Sequence, residues 1–271
     1  MSIASIMTSV DLGPGAAERV RLAAGLAARF EATLTGIAAR PFPAAGPIDR
    51  GVEIQAIADE GRARLADELR QVRSVFARGA GEGVRTAWQQ GDGDPEGFLI
   101  RQSRGADLVV VSRRGPRDPD PGPFGVAPDR ILMEAARPVL VVPPGLEHLR
   151  GARIVVAWKD TPEALRAVSA ALPFIVQADQ VFVATAGEGA RFEGGQDVAE
   201  LLARHGAHVT THLLSAPPRE TTDEILRFAA RQDADLLVMG AYGHARLRQW
   251  LFGGATREIL RMVPVCCLMS H

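Results

Sequence analysis

Four glycines near the C-terminus have the spacing of an anion cradle: Gly240-Ala-Tyr-Gly243, nine residues, then Gly253-Gly254-Ala255-Thr256. They follow the apolar run Ala234–Met239 and precede a helical pattern, Thr256–Met262. Glycine lets backbone amides approach a ligand closely, and the N-terminus of a following helix favours negative charge. The chemistry this implies is phosphate binding by N–H groups and a helix dipole, without a required lysine. A weaker copy lies earlier, as Ser112-Arg-Arg-Gly115, nine residues, then Gly125. Between those two glycines, Pro116–Pro123 holds four prolines, which lack the N–H donors a phosphate needs. The first copy therefore reads as degenerate.

Other residues around these glycines admit two readings each. His244 is placed to meet a phosphate or a partner, or is an exposed loop histidine. Tyr242 and Trp250 either shield a ligand or pack on the sheet edge and the other half. Trp158 lines an adenine-sized pocket or is core. His205, His208 and His212 form the one histidine cluster, but strand spacing separates the last two and no cysteine or carboxylate set completes a metal site. Gly91-Asp-Gly-Asp-Pro95 reads as a turn, since it lacks the downstream ligands of a calcium loop. No Gly-x4-Gly-Lys-Ser/Thr loop, His-Glu-x2-His helix or Gly-x-Ser-x-Gly elbow occurs. No general acid/base pair emerges, so the expectation is binding without catalytic residues.

Bulk properties narrow the partners. The chain has 271 residues, a formal net charge of −1 and 23% charged residues, which makes no electrostatic case for nucleic acid or an anionic membrane. The run Arg246–Trp250 is too short to change that. No apolar stretch has bilayer length. Met1–Val10 lacks a basic start and Asp11 interrupts it, so no secretory leader is expected. The two cysteines, Cys266 and Cys267, are adjacent on a predicted strand and point to opposite faces. They read as apolar strand residues of a reducing compartment, and the expected location is the cytoplasm.

The elements that must hold the glycines occur twice. Ala106–Val111 matches Ala234–Met239, Ile131-Leu132 matches Ile259-Leu260, and Pro138–Val142 pairs with Pro264–Leu268. Upstream, Ile6–Val10 matches Ile154–Trp158, which sets Asp11 opposite Lys159; the first half carries extra residues, assigned to the Pro/Gly-rich stretch Arg40 to Gly51. In the second half, strands are predicted at 153–158, 180–184, 209–214, 236–239 and 265–269. Helices are predicted from a Thr161-Pro162 cap to Leu172-Pro173, then over 196–204, 222–232 and 256–262. Strand–helix alternation with continuous apolar strands means an open, mostly parallel sheet covered on both faces. Ligands of such sheets bind at the carboxyl ends of strands where the order reverses. With Pro143–Gly151 as linker, the domains are expected at 1–145 and 151–271.

These residues resemble the universal stress protein family in its tandem two-domain form. The resemblance rests on Gly240-x2-Gly243-x9-Gly253 after a strand, the preceding Ala-Asp-Leu-Leu-Val-Met, and the terminal Pro-Val-x-x-Leu-Met-Ser-His. It implies two tandem Rossmann-like domains of the adenine nucleotide alpha hydrolase type, each with a five-stranded sheet. It also implies adenosine held between strand ends and the fourth-strand loop. Gly240 and Gly243 would border the ribose and first phosphate, and Gly253, Gly254 and Ala255 the phosphate chain. ATP or AMP is the implied ligand, with magnesium only alongside bound nucleotide. Two positions depart from the pattern. Gly254 stands where a Ser or Thr is expected, and Thr256 either replaces that hydroxyl or caps the helix. Lys159 stands where an Asp is expected, so either Lys159 pairs with phosphate or Asp160 takes the nucleoside role. The implied function is a stress-response sensor or regulator; the alternatives are a scaffold that binds no nucleotide and, less favoured, a slow ATPase. The last strand of each half is expected to pair across an internal pseudo-dimer or a homodimer.

Overall fold

The computed structural model describes residues 2–41, 51–188, 190–192, 194–243 and 254–271, with 51–58 and 255 as backbone. The first half runs β1 (Ser5–Ser9), α1 (Ala16–Arg29), β2 (Thr33–Arg40), α2 (Gly51–Ala80), β3 (Arg85–Asp92), α3 (Pro95–Gln102), β4 (Leu108–Ser112), α4 (Pro128–Glu134) and β5 (Val139–Val142). The second repeats the pattern as β6 (Arg153–Ala157), α5 (Pro162–Ile175), β7 (Gln180–Ala186), α6 (Gly195–Arg204), β8 (Val209–Leu214), α7 (Thr221–Arg231), β9 (Leu236–Gly240), α8 (Ala255–Met262) and β10 (Cys266–Ser270). Each predicted element of the second half is present within a residue or two at most ends.

Local chemistry explains several boundaries. The Thr161 side chain accepts from the Ala164 amide at 3.3 Å and Pro162 fills the first helical position, so α5 starts where its cap dictates. It does not stop at Pro173, as expected, but runs two residues further. One missing N–H so near the end costs little, while Phe174 and Ile175 gain complete burial from the extra turn. Helix α6 ends with Gly206 at φ +87°, the left-handed position that glycine occupies without strain.

Among the described residues the ten strands form one sheet, ordered β3-β2-β1-β4-β5-β10-β9-β6-β7-β8. Every pairing is parallel except one: β5 meets β10 antiparallel, with Leu140 opposite Leu268 and Val141 opposite Cys267. The two expected sheets are thus fused through their last strands within the chain. Side chains alternate across the sheet, so each strand feeds two cores. Ile6, Val110, Leu140, Val156 and Leu268 pack under α1, α2, α5 and α6; Met7, Val109, Val141, Val155 and Cys267 pack under α3, α4, α7 and α8. At one end of the seam, Phe30 and Phe174 meet edge to face, 5.1 Å apart, and join α1 to α5.

Cys266 and Cys267 are both buried and free, one in each core. Burial pushes the Cys266 thiol up to about 12, with a further contribution from Asp235, and raises Cys267 well above its ordinary value. Neither is a reactive thiolate near neutral pH. A thiol reagent at pH 8 should therefore find no fast-reacting cysteine in the native protein and two in denaturant. Leu268→Ala empties a fully buried position on the seam. It should cost about 2–5 kcal/mol in guanidinium unfolding; a loss below 1 kcal/mol would contradict this packing.

Candidate functional site

In each half the strand order reverses between the first and fourth strands, β1/β4 and β6/β9. The carboxyl ends of those strands form the two places where a ligand fits such a sheet. In the second half, Trp158, Lys159 and Asp160 follow β6, Gly240 closes β9, and Gly254 to Thr256 open α8. The structure brings Gly240, Gly243 and Thr256 together; His244 and Gly253, like Trp250, lie outside the described residues.

The glycine turn is shaped by close approach. A Cβ on Gly240 would lie 2.5 Å from the Ala164 amide nitrogen, because β9 ends directly on the first turn of α5. At Gly243 the nearest atoms would be Glu163 Oε2 at 3.2 Å and Thr161 Oγ1 at 3.5 Å. Ala241 N–H donates to the Ser270 carbonyl at 2.8 Å, which ties the turn to β10. Tyr242 N–H donates to Thr256 Oγ1 at 3.2 Å. The Thr256 hydroxyl therefore does not cap α8, whose N-cap Gly254 has no side-chain partner; its oxygen accepts from Tyr242 and pins the turn to the helix.

The residues after β6 divide. Lys159 and Asp160 are exposed at the strand end. Trp158 is core, 5% exposed, with its indole against Gly194, where a Cβ would come within 3.2 Å of Nε1. Its indole N–H has no acceptor among the described residues. Arg257, which the sequence reading passed over, is exposed in the first turn of α8 and its charge acts on Tyr242. A cation at a helix N-terminus opposes the helix dipole, and that mismatch was the available signal.

The equivalent place in the first half is filled. Asp11, after β1, is 4% exposed and pairs with Arg19 of α1 at 2.7 Å. Its other oxygen accepts from the Gly13 amide at 2.8 Å. Arg19 also donates to the Ser9 carbonyl at 2.9 and 3.1 Å and to Ser112 Oγ. At the offset that sets Ile6 against Ile154, Arg19 falls on Ala167, which is also buried. The proline loop then closes over the cleft: a Cβ on Gly13 would sit 2.9 Å from Pro121 Cα. The remaining space is about 30 Å³. That is roughly one water, against about 300–1,000 Å³ for ordinary ligand pockets.

Arg113, in the loop after β4, is largely buried and paired. It forks onto Asp118 at 2.9 and 2.5 Å and donates to the Val263 carbonyl, at the C-terminus of α8, at 2.7 Å. The Arg113 hydrogen bond holds the Asp118 carboxyl below its usual range despite burial. Gly115 lies on the same helix end, where a Cβ would meet the Arg261 carbonyl oxygen at 2.3 Å. Tyr242 crosses the seam in the other direction and donates its hydroxyl to Asp129 of α4 at 3.0 Å. The packing reading of Tyr242 is the one the structure supports. Among the histidines, His205 occupies the C-cap of α6, and His212 stacks near Phe182 and Phe228 with Thr210 Oγ1 at 2.9 Å. Burial lowers the His212 imidazole below its usual value.

Comparison with known proteins places this geometry. The model of the universal stress protein family matches residues 3–143 and 160–271. Universal stress protein Slr1230 of Synechocystis sp. is 24% identical over 167 residues, covering 59% of this chain and 56% of that protein. The chain thus matches little more than half the length of this curated relative. A universal stress protein from Archaeoglobus fulgidus, solved by crystallography, superposes with a TM-score of 0.72 at 16% identity, covering 98% of this chain and 95% of that one. A putative universal stress protein from Pseudomonas aeruginosa gives 0.56 at 18% identity, covering 99% and 93%. These structural likenesses establish the fold.

The buried ion pair of the first half has a measurable consequence. Arg19→Met leaves Asp11 without its cation and should destabilise the protein by about 3–5 kcal/mol. Adding Asp11→Asn should recover most of that loss in urea unfolding. A single-variant cost under 1 kcal/mol would mean that Asp11 does not depend on Arg19.

Proposed function

This chain belongs to the universal stress protein family, and we propose that its second half binds an adenine nucleotide, ATP or AMP, as a stress-response sensor or regulator. One observation carries the reading: the Gly240–Gly243 turn and the N-terminus of α8 meet at the strand-order reversal, with exposed Lys159, Asp160 and Arg257 around them. In the first half the same position holds a neutralised ion pair under a proline loop. The phosphates are assigned to the amides of Gly243, Gly254, Ala255 and Thr256, with Arg257 beside them; Gly253 and His244, the other residues proposed for this role, lie outside the described residues. Gly240 borders the ribose. Lys159 or Asp160 meets the nucleoside or its phosphates, and Trp158 backs the site from the core. Magnesium enters only with the nucleotide. No residue is assigned a catalytic role; the proposed role is nucleotide binding, with a slow ATPase the less favoured alternative.

The domains that follow from this reading are 1–145, architectural, and 151–271, ligand-binding. The net charge of −1 favours neither nucleic acid nor membrane as partner, and the cytoplasm is the proposed location. A second reading, a scaffold without nucleotide, is favoured by one observation: Gly254 has no hydroxyl where the family pattern expects one.

Calorimetry of the full chain with ATP, AMP and GTP separates the two. Binding of an adenine nucleotide is expected, weakened tenfold or more by Gly243→Val, whose first side-chain atom would press on Glu163 Oε2 at 3.2 Å and so displace the turn. Arg257→Ala should weaken ATP more than AMP if the guanidinium meets the phosphate chain. No heat of binding at millimolar nucleotide sinks the proposal in favour of the scaffold.

A further inference from the structure

Among the described residues four non-glycine residues have positive φ: Glu31, Ala136, Asp233 and Tyr242. The first three follow the ends of α1, α4 and α7, where a left-handed residue is the ordinary way to leave a helix. Tyr242, at φ +54°, follows a strand instead and lies inside the glycine turn. An aromatic residue in that region persists only where its surroundings over-determine it. Here they do so from three sides. Its N–H is held by Thr256 Oγ1, its ring edge faces His271 with centroids 6.4 Å apart, and its hydroxyl is held by Asp129. His271 in turn bonds through Nδ1 to the Ala241 carbonyl at 3.1 Å. Of these anchors only Asp129 comes from the first half.

We infer that Asp129 is a positioning residue for the second half's nucleotide site: through the Tyr242 hydroxyl it holds the Gly240–Gly243 turn in its binding shape. The inference rests on the nucleotide reading above. The conformation of Tyr242 sets where the next amide, that of Gly243, points. Releasing the hydroxyl removes the one tether outside the second half and lets the residue relax out of the left-handed region, which turns that amide away. The first half also grips the far end of the same helix, through Arg113 on the Val263 carbonyl and Gly115 on that of Arg261. The first half, whose own cleft is filled, thus frames the turn it faces.

Tyr242 is the only tyrosine in the chain, so its phenol is a clean reporter. Burial, then the Asp129 carboxylate, raises it above the ordinary tyrosine range, and Arg257 opposes the shift. The groups around it are Asp129, Arg257 and His271. The test uses the full chain with Asp129→Ala, Asp129→Asn and Tyr242→Phe, each first shown to unfold cooperatively. Absorbance titration should show the phenol ionising above its usual pH in the wild type and lower in Asp129→Ala. Hydrogen exchange at Tyr242 and Gly243 should quicken severalfold in Asp129→Ala and in Tyr242→Phe. ATP affinity should fall at least fivefold in both. Asp129→Asn, which keeps an acceptor, should restore exchange and affinity to near wild type. Unchanged exchange at the turn in Asp129→Ala overturns the inference, as does wild-type affinity in that variant. A wild type that binds no nucleotide removes the functional reading instead, and titration and exchange then decide alone whether Asp129 holds the turn.

Discussion

The antiparallel pairing of β5 with β10 is the constraint on which the rest depends. Each strand is buried along its length and, apart from Ser270, apolar; in a separate domain it would end its sheet as an exposed edge open to association. Facing each other, they bury Leu140 and Leu268 completely and turn two five-stranded sheets into one. Everything that crosses the seam follows from that fusion. It brings α4 against α8, and with them the first half's glycine loop onto the C-terminus of α8.

Duplication followed by fusion gives the two copies unequal physical demands. The second copy keeps its turn amides at the strand ends and leaves charged residues exposed around them. The first copy fills the same place from within, with Arg19 inserted between Asp11, Ser9 and Ser112. Once that ion pair is buried, the site is closed by its own desolvation: extracting either charge leaves the other uncompensated. The proline loop above it packs against the neighbouring half instead. Gly115 illustrates this, since its missing Cβ makes room for a carbonyl of α8.

The fold was legible because its signals are local. Thr161-Pro162 starts a helix, Gly206 ends one, and runs such as Leu236–Met239 can only be buried strands in an alternating chain. Pro173 misled because a proline reads as a stop, while the burial of Phe174 and Ile175 is a tertiary gain. The site was legible only in part. Glycine spacing located the turn, but the same glycines are required by the approach of β9 to α5, a reason that spacing alone does not distinguish from ligand binding. The roles of Arg19 and Arg113 were not legible because an arginine's partner is set by what the fold brings beside it. An arginine within the apolar face of α1 was nevertheless a visible sign that a buried anion must exist.

By itself, then, the sequence determined the family, the strand–helix order, the doubling and the position of the glycine turn, since each is written in residues near one another along the chain. The tertiary structure decided which copy is filled, where Thr256 spends its hydroxyl, and that Tyr242 answers to Asp129, 113 residues away in the chain. Those outcomes depend on which groups share a desolvated space. Periodicity and spacing carry no record of that, whereas the pairing of β5 with β10 settles it.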